Sequence, residues 1–367
     1  MKIRWPGIKI LDRYIIGKFL STYFFAIAMI IVIVVIFDYV EKIDDFTSLK
    51  APLKAILFDY YLNFIPFFIN QFSGLFTFIA VIFFTSKMAY QTEIVAMLSG
   101  GMSFRRLMWP YFLGALIITS LSLTLNLWVI PVSQRSVVEF ESQYRQRRLS
   151  YQYDKHIYRQ VEPGVFAYVR GYTNRNGQAT FFALESYDGS TMTASLEAAE
   201  AKFNPETKRW TAPRYITRAF DSLGVETFSQ HRNLDTLINL EATELGRVNE
   251  LIQTMNITQL NEFLAQQRAK GSDSINIIEV ERHARFAYPL ATFILTLIGV
   301  SLSSRKVRGG TGLHIGIGTG LCFSYILFNR FFEEFAKSGT LPPGLAVWIP
   351  NIIYLGIAVY LYRKAPK

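Results

Sequence analysis

Residues 19–37 read FLSTYFFAIAMIIVIVVIF, a run of 19 positions that holds no Asp, Glu, Lys or Arg. A helix needs about 20 mostly apolar residues to cross the roughly 30 Å hydrocarbon core of a bilayer. Similar uncharged runs recur further along the chain, at Tyr60–Ser86, Leu107–Gln134, Phe286–Ser304, Gly309–Asn329 and Ser338–Tyr362. Six such runs predict an α-helical membrane protein with six transmembrane helices, three on each side of a central insert.

The composition agrees with this interpretation. Hydrophobic residues make up 51% of the chain and charged residues 18%, against roughly 25% charged in an ordinary soluble domain. The net charge of +10 does not indicate a nucleic-acid partner, because the insert Arg135–Arg285 is neutral, with 19 basic and 19 acidic residues. The positive excess therefore belongs to the membrane half. A single cysteine, Cys322, excludes an intrachain disulfide.

The short connections between the runs carry unequal charge. The N-terminal arm, the second and fourth connections and the C-terminal tail hold 14 basic residues, against only Asp12 and Glu93. Because basic short loops stay in the cytoplasm, we expect both termini there and the insert on the opposite side. The first run is expected to remain as an uncleaved anchor. Ile8–Lys18 before it is predicted to be an amphipathic interfacial helix, with a plain basic flank as the alternative.

The insert has the pattern of β structure. From Val165 to Arg170 the side chains alternate with a period of two. Turn-forming residues then separate short strands, which predicts an antiparallel β domain, either a sandwich or a jelly-roll-like sheet. Turns are expected at Asn174–Gly177, Asp188-Gly189, Asn204–Lys208 and Asp221–Gly224, and strands between them at Ala179–Tyr187, Ser190–Phe203, Arg209–Thr211, Tyr215–Phe220 and Val225–Phe228.

A helix is predicted after the strands, at Ile257–Lys270, with Thr258 as its N-cap. The predicted organisation is therefore an interfacial helix and three spans in residues 1–134, a β domain and linking helix in 135–273, and three further spans in 274–367.

Signatures of catalysis are missing from the sequence. The chain has no G-x-x-x-x-G-K-[ST] loop for ATP, no H-E-x-x-H and no G-x-S-x-G. Its four histidines are scattered, and no Cys/His cluster offers a metal site. We therefore expect a non-catalytic chain that binds no cofactor itself. A secondary transporter is one alternative, although it normally shows ionisable residues at mid-membrane. A non-transporting scaffold with a periplasmic binding domain is the other.

The connection after the second run contains a candidate docking helix, at about residues 89–101. Thr92 can cap a short helix that Gly100 and Gly101 end. Its apolar face comprises Ile94, Val95, Met97 and Leu98, and Glu93 lies near its start. A short helix with one acid between two spans suits docking into a groove on a soluble partner, with an ordinary interfacial connector as the alternative.

This connection resembles the cytoplasmic coupling helix of the LptF/LptG (YjgP/YjgQ) permeases of lipopolysaccharide export. Leu11-Asp12-Arg13-Tyr14-Ile15 resembles the N-terminal signature of the LptG branch, and favours LptG over LptF. Further similar motifs follow in the family's order and together cover most of the chain: Ala201-Lys202-Phe203-Asn204-Pro205 through Trp210, Glu281-Arg282-His283, Arg285-Phe286-Ala287, Pro289-Leu290-Ala291, Leu341-Pro342-Pro343 and Trp348-Ile349-Pro350-Asn351.

The resemblance implies a permease subunit of an ABC-type exporter in the inner membrane of a diderm bacterium. Such a subunit pairs with an LptF-like permease and with an LptB-like ATPase dimer, which uses ATP and Mg. The complex extracts lipopolysaccharide and passes it to a periplasmic β bridge that begins with an LptC-like protein. Glu93 would be the acid that couples the chain to the ATPase, together with Ile94, Met97 and Leu98.

The sequence departs from the family where the phosphates of lipid A are expected. Family members often carry basic residues near the outer end of the first span, but this chain has several acids there and only Lys42 as a base. Phosphate contacts are therefore predicted at Lys42, Arg135 or Arg330, unless the lipid carries fewer phosphates. For Arg330 the alternative is an ion pair with Glu333 or Glu334, at helical spacings of three and four.

Overall fold

The computed structural model describes residues 9–144, 157–173, 177–189, 191–204, 206–220, 225–238, 240, 248–269, 272, 274–304 and 310–365. Most of the turn predicted at Asn174–Gly177 lies outside the described residues, as do the turn predicted at Asp221–Gly224 and the first residue of the predicted interfacial helix, Ile8. The described helices are α1 (Ile10–Ser48), α2 (Leu53–Tyr90), α3 (Glu93–Ser99), α4 (Phe104–Tyr144), α5 (Val248–Gln253), α6 (Ile257–Ala269), α7 (Ile275–Ser303), α8 (Gly310–Lys337) and α9 (Pro343–Lys364).

The chain forms two compact units. The helical unit comprises Met1–Thr47, Ala51–Val137 and Glu279–Lys367, and the sheet unit comprises Ser48–Lys50 and Val138–Ile278. The main borders between the two units fall after residues 137 and 278.

Long apolar helices build the helical unit. Among the described residues, five helices are long and apolar enough to cross a membrane, namely α1, α2, α4, α7 and α9. The predicted fold class, an α-helical membrane protein with an inserted antiparallel β domain, is confirmed. The remaining predicted span, Gly309–Asn329, lies in α8, a 28-residue helix that is not among those five. Its membrane crossing stays a prediction.

Helix α8 packs closely against α2 and α9. A Cβ atom at Gly318 would overlap Cδ1 of Ile82 of α2, so any larger residue there would require the Ile82 side chain to shift. Seven residues later, two turns along the same face of α8, the Tyr325 hydroxyl donates to Asn351 Oδ1 of α9 over 2.7 Å. Gly318 thus lies at a close contact between α8 and α2.

Helix α1 runs without interruption through the segment predicted as a separate interfacial helix. Its buried stripe continues from Asp12 through Ile15, Phe19 and Tyr23 to Ile27. These residues are spaced by three or four, so they lie on one face of the helix. The amphipathic segment is therefore the first part of the spanning helix itself.

A chain of polar side chains links three helices where Pro289 interrupts the hydrogen bonding of α7. Proline has no N–H, so the carbonyl of Arg285, four residues earlier, loses its partner within the helix. Asn126 of α4 donates its Nδ2 to that carbonyl over 3.3 Å. Asn126 Oδ1 in turn accepts from Asn70 Nδ2 of α2 over 2.9 Å, and Ser122 donates to Asn70 Oδ1. The freed carbonyl is thus satisfied by a side chain from another helix.

Asn126 lies in a π-helical turn of α4, Leu125–Val129. Such single turns insert one residue and reorient the side chains near them. Here the turn coincides with the position at which α4 supplies a donor to α7. The local irregularities of the two helices are therefore complementary.

Replacing Asn126 with Leu should destabilise the helical unit by about 1–2 kcal/mol, because it removes the hydrogen bond between helices to the Arg285 carbonyl in apolar surroundings. In a Pro289→Ala background the same replacement should cost clearly less, since an N–H at position 289 can bond to Arg285. Free energies of unfolding of the four proteins in detergent micelles measure this cycle. Equal costs of Asn126→Leu in both backgrounds would contradict the assigned role.

The sheet unit contains one antiparallel sheet of described strands. These are β1 (Ile157–Glu162), β2 (Val165–Thr173), β3 (Gln178–Asp188), β4 (Thr191–Asn204), β5 (Arg209–Phe220) and β6 (Glu226–Leu237), and each pairs with the next in chain order. The described strands therefore form a meander, whereas the expected jelly roll requires crossover connections.

Two predicted strands are one strand in the structure. The segments predicted at Arg209–Thr211 and Tyr215–Phe220 belong to the continuous β5, although Pro213 cannot donate to the ladder. The alternation pattern did not predict β1. It predicted that the last strand ends at Phe228, whereas β6 ends nine residues later, at Leu237.

The alternation of the strands slips by one residue along a line across the sheet. In β4 the neighbours Ala199 and Glu200 are both exposed, and in β5 so are Pro213 and Arg214. Phe181 of β3 has a φ of 49° on the same line, and Asn233 of β6 one of 57°. Neighbouring strands slip together, so register is kept while each strand gains an extra outward residue. Such residues bend strands, as at a β-bulge.

Short helices complete the sheet unit. Ile252, Leu260 and Leu264 of α5 and α6 pack with Ile278 at the start of α7. Helix α6 confirms the helix predicted at Ile257–Lys270, but its cap is Asn256 rather than Thr258. Asn256 Oδ1 accepts the N–H of Gln259, and Gln259 Oε1 accepts the N–H of Asn256. This is the reciprocal arrangement of a capping box.

Candidate functional site

Helix α3 occupies the predicted docking segment, and its ends are sharply defined. Thr92 precedes it in the left-handed conformation, with a φ of 61°, and makes no capping hydrogen bond with its side chain. At the other end Gly101 has a φ of 85°, and the N–H of Met102 bonds to the carbonyl of Met97. This ending is a Schellman motif, which needs a left-handed residue and thereby favours glycine. Both ends thus fix the direction of a helix of only seven residues.

The apolar residues of α3 face in two directions. Ile94 is completely buried, and Met97 and Leu98 pack against the same core cluster as α1, α2 and α4. Val95 is 47% exposed on the opposite face, with Ala96 and Ser99 beside it. Of the predicted coupling residues, Ile94 is therefore an anchor within the chain. The surface that a partner can reach centres on Val95, Ala96 and Ser99.

Glu93 opens α3 and contacts α1. Its Oε2 accepts a hydrogen bond from the Tyr14 hydroxyl over 2.9 Å, and its Oε1 lies 3.4 Å from Lys18 Nζ. Lys18 also lies over the Tyr14 ring, with Nζ 4.3 Å from the centroid. The Glu93 side chain keeps 29% of its surface exposed. A carboxylate has about four acceptor positions, so Glu93 retains capacity for a further donor.

A second contact joins α1 to the other end of the α3 segment. Arg106, near the start of α4, donates two hydrogen bonds to the Asp12 carboxylate, of 2.6 and 2.7 Å. Asp12 also accepts the N–H of Lys9. Its side chain is almost fully buried, whereas that of Arg106 is 22% exposed. This two-pronged geometry is the strongest type of Arg–carboxylate pair.

Sequence reasoning singled out Glu93 but assigned no structural role to Tyr14, Lys18, Asp12 or Arg106. Tyr14 and Lys18 are four residues apart, which places both on one face of a helix. That spacing was visible in the sequence. The partner positions were not, because Asp12 and Arg106 are separated by 94 residues.

Lys42 lies inside a polar and aromatic cluster. It forms an ion pair with Asp38 over 2.6 Å, donates to the Tyr60 hydroxyl and lies over the ring of Phe64. Tyr61 also donates to Asp38. Lys42 is only 7% exposed, so a phosphate would have to displace Asp38 to reach it. The cluster joins α1 to the π-helical turn of α2, Ile56–Tyr61.

The other two predicted phosphate contacts are exposed and lie far apart along the chain. Arg135 lies on the exposed side of α4. Arg330 of α8 donates to Glu333 Oε2 over 3.2 Å, so the ion pair considered as the alternative is formed. Both arginine side chains are therefore accessible from outside the chain, whereas that of Lys42 is buried.

The interior face of the sheet has a filled half, which reaches across the line of slipped alternation to Phe182, and an open half that begins beyond it, at Leu184 and Leu196. In the filled half Trp210 stacks on Phe182, with centroids 5.2 Å apart, contacts Phe203 and donates to the Leu240 carbonyl. Burial there raises the pKa of the Tyr172 phenol to about 12. In the open half Val165, Leu184, Leu196 and Tyr215 remain partly exposed.

The edges of the sheet also differ. The first eight residues of β6, Glu226–Asn233, are exposed on both faces of the strand. Its outer edge has no described strand beside it. Such an edge presents unpaired N–H and C=O groups to another β-strand. No group of His, Cys, Asp and Glu suited to a metal ion occurs among the described residues.

The two faces of α3 can be separated by matched substitutions. Ile94→Ala should lower the free energy of unfolding by about 2–5 kcal/mol, because it removes a fully buried side chain. Val95→Ala, one residue along, should change it by less than about 0.5 kcal/mol, because that side chain is exposed. Equilibrium unfolding in detergent micelles measures both. Equal destabilisation by the two changes would contradict the assigned faces.

A comparison of the sequence with models of protein families matches almost the whole chain to one family. The family model described as "Lipopolysaccharide export system permease LptF/LptG" matches residues 13–364. No curated protein matches the chain.

Proposed function

Because the chain belongs to the lipopolysaccharide export permease family LptF/LptG, we propose that it is the transmembrane subunit of an ABC-type exporter that extracts lipopolysaccharide from the inner membrane. The family and the apolar helices make it a multi-pass inner-membrane protein. The observation that carries the proposal is the form of α3. This short helix lies between two spans, both of its ends are well defined, and it has an exposed face with the partly exposed carboxylate of Glu93.

The proposed partners follow from the family. ATP and Mg are bound by an LptB-like ATPase dimer, and this chain contributes no catalysis. A related permease, LptF-like if this chain is the LptG member, completes the membrane part. The N-terminal signature around Asp12 favours LptG. An LptC-like protein receives the lipid on the periplasmic side.

The proposed orientation places both termini and α3 in the cytoplasm and the sheet unit in the periplasm. Its support is the charge asymmetry of 14 basic residues against two acidic ones in the connections on the α3 side. In this orientation Glu93 and the exposed face around Val95 meet the ATPase. Glu93 then offers its remaining acceptor positions to a basic residue of that partner.

The test of this assignment is co-purification of the ATPase with the chain carrying Glu93→Lys. The substitution replaces an attraction by a repulsion and strands a partner cation, which costs about 2–5 kcal/mol. We expect at least ~30-fold weaker binding of the ATPase and loss of lipid export, with normal insertion of the chain.

The control is Glu41→Lys, which makes the same charge change at an exposed position of α1. It should leave ATPase binding unchanged. Normal export by Glu93→Lys would show that the acid is dispensable. A wild-type chain that purifies without any ATPase would favour the scaffold or the secondary transporter instead.

The sheet unit is the proposed periplasmic part of the lipid route. Acyl chains need apolar surroundings once they leave the bilayer. The open half of the interior face offers Leu184, Leu196 and Tyr215 for such contact, whereas the filled half is closed by Trp210. The exposed edge of β6 suits strand addition by the LptC-like partner. We propose that lipid contact is confined to the open half.

Photo-crosslinkers can locate the lipid on this sheet. Crosslinkers at Leu184 and Leu196 should capture lipopolysaccharide when ATP is supplied, because both side chains lie on the interior face. Matched positions Glu185 and Glu197, one residue along on the opposite face, should not. Capture of protein alone at Leu184 and Leu196 would assign the lipid route to the neighbouring permease.

A further inference from the structure

Helix α1 is joined to both ends of the segment that contains α3. Asp12 holds Arg106 at the end of that segment by two hydrogen bonds of 2.6 and 2.7 Å. Tyr14 and Lys18 hold Glu93 at its beginning, over 2.9 and 3.4 Å. These five residues are here named the two-point clamp.

The two points of the clamp differ in character. The Asp12 carboxylate is nearly inaccessible, with 2% of its side-chain surface exposed. Its pair with Arg106 therefore resists competition by water and by salt. Glu93, Tyr14 and Lys18 are partly exposed. The Asp12–Arg106 pair is thus shielded from solvent, whereas the contact of Glu93 with Tyr14 and Lys18 can be reached by a partner that docks on α3.

The apolar middle of α1 buries a smaller share of its residues inside the chain than the other apolar helices do, although Phe19, Tyr23 and Ile27 remain buried there. Its most apolar window is 17% buried inside the chain, against 39% for α2, 33% for α4 and 61% for α7. The position of a helix with fewer internal contacts depends more strongly on each contact that it does make. At the end near α3, those contacts include the clamp.

We propose that the two-point clamp makes α1 follow α3, so that a displacement of α3 by the ATPase is transmitted to the first spanning helix. The proposal rests on the proposed function, since it takes α3 as the docking helix. It assigns Asp12, Tyr14, Lys18 and Arg106 as positioning residues that act through α1. They make no contact with nucleotide or lipid in this scheme.

The test uses the complete exporter, reconstituted with its ATPase and paired permease in lipopolysaccharide-containing proteoliposomes. Asp12→Asn and Arg106→Gln should each retain ATP hydrolysis within twofold of the wild type, while the lipid released per ATP falls at least tenfold. The exchanged pair, Asp12→Arg with Arg106→Asp, should recover release to within threefold. Arg13→Gln and Arg105→Gln are the matched controls, because they remove neighbouring exposed charges, and they should change neither quantity.

A distance measurement separates transmission from simple stabilisation. Spin labels at Arg13→Cys and Arg105→Cys, in a Cys322→Ser background, report the separation of α1 from the start of α4. The distribution of distances between the two labels should be narrow, and its mean should be the same with and without an ATP analogue. Adding Asp12→Asn should broaden it or make it depend on nucleotide.

The outcomes discriminate between the two proposals. Wild-type release per ATP in an assembled Asp12→Asn complex would overturn the clamp and leave the proposed function standing. Absence of the ATPase from the wild-type complex would overturn both. Should Asp12→Asn fail to assemble, the double change Tyr14→Phe with Lys18→Gln alters only partly exposed residues. Unchanged release per ATP in that variant would likewise overturn the clamp.

Discussion

In apolar surroundings every backbone N–H and C=O must find a partner within the protein, and the helical unit is organised around that constraint. Straight helices meet it internally, but Pro289 frees the carbonyl of Arg285. The donor comes from Asn126, in a π-helical turn of another helix, and Asn70 and Ser122 orient that donor. A proline in one helix is therefore matched by an amide side chain that a neighbouring helix supplies at the same level.

Uncharged runs reveal the helices because crossing a bilayer imposes a length that few other structures require. The same reasoning predicted a span at Gly309–Asn329, but it could not show that Gly318 of α8 lies against Ile82 of α2. Alternation located the strands after β1, but it could not show that all slip together near Phe181 and Pro213. When all strands shift their alternation at the same level, the sequence on either side of the shift still alternates normally. The shift becomes apparent only when the burial of each side chain in adjacent strands is compared.

Helix α3 was visible in the sequence as a short apolar stretch with one acid, and the family resemblance implied the coupling role that is proposed for Glu93. Its orientation was not visible. Four apolar residues in seven positions cover more than one face of a helix, so the pattern could not separate the buried Ile94 from the exposed Val95. The sequence was ambiguous about Lys42 in a similar way. A basic residue near several acidic ones can form an ion pair with them or bind an anionic ligand, and the structure pairs Lys42 with Asp38.

The described contacts of α1 divide it by function along its length. Near α3 it holds Arg106 and Glu93 by charged hydrogen bonds, and towards its other end Lys42 and Asp38 form a buried cluster with Tyr60. Between them the helix presents large exposed apolar side chains such as Phe25 and Ile36. Apolar side chains tolerate sliding against lipid or another apolar surface, whereas ion pairs fix position. Charged contacts at both ends, together with the buried stripe of Phe19, Tyr23 and Ile27, therefore set the position of α1, and its exposed apolar side chains remain available to lipid or to another apolar surface.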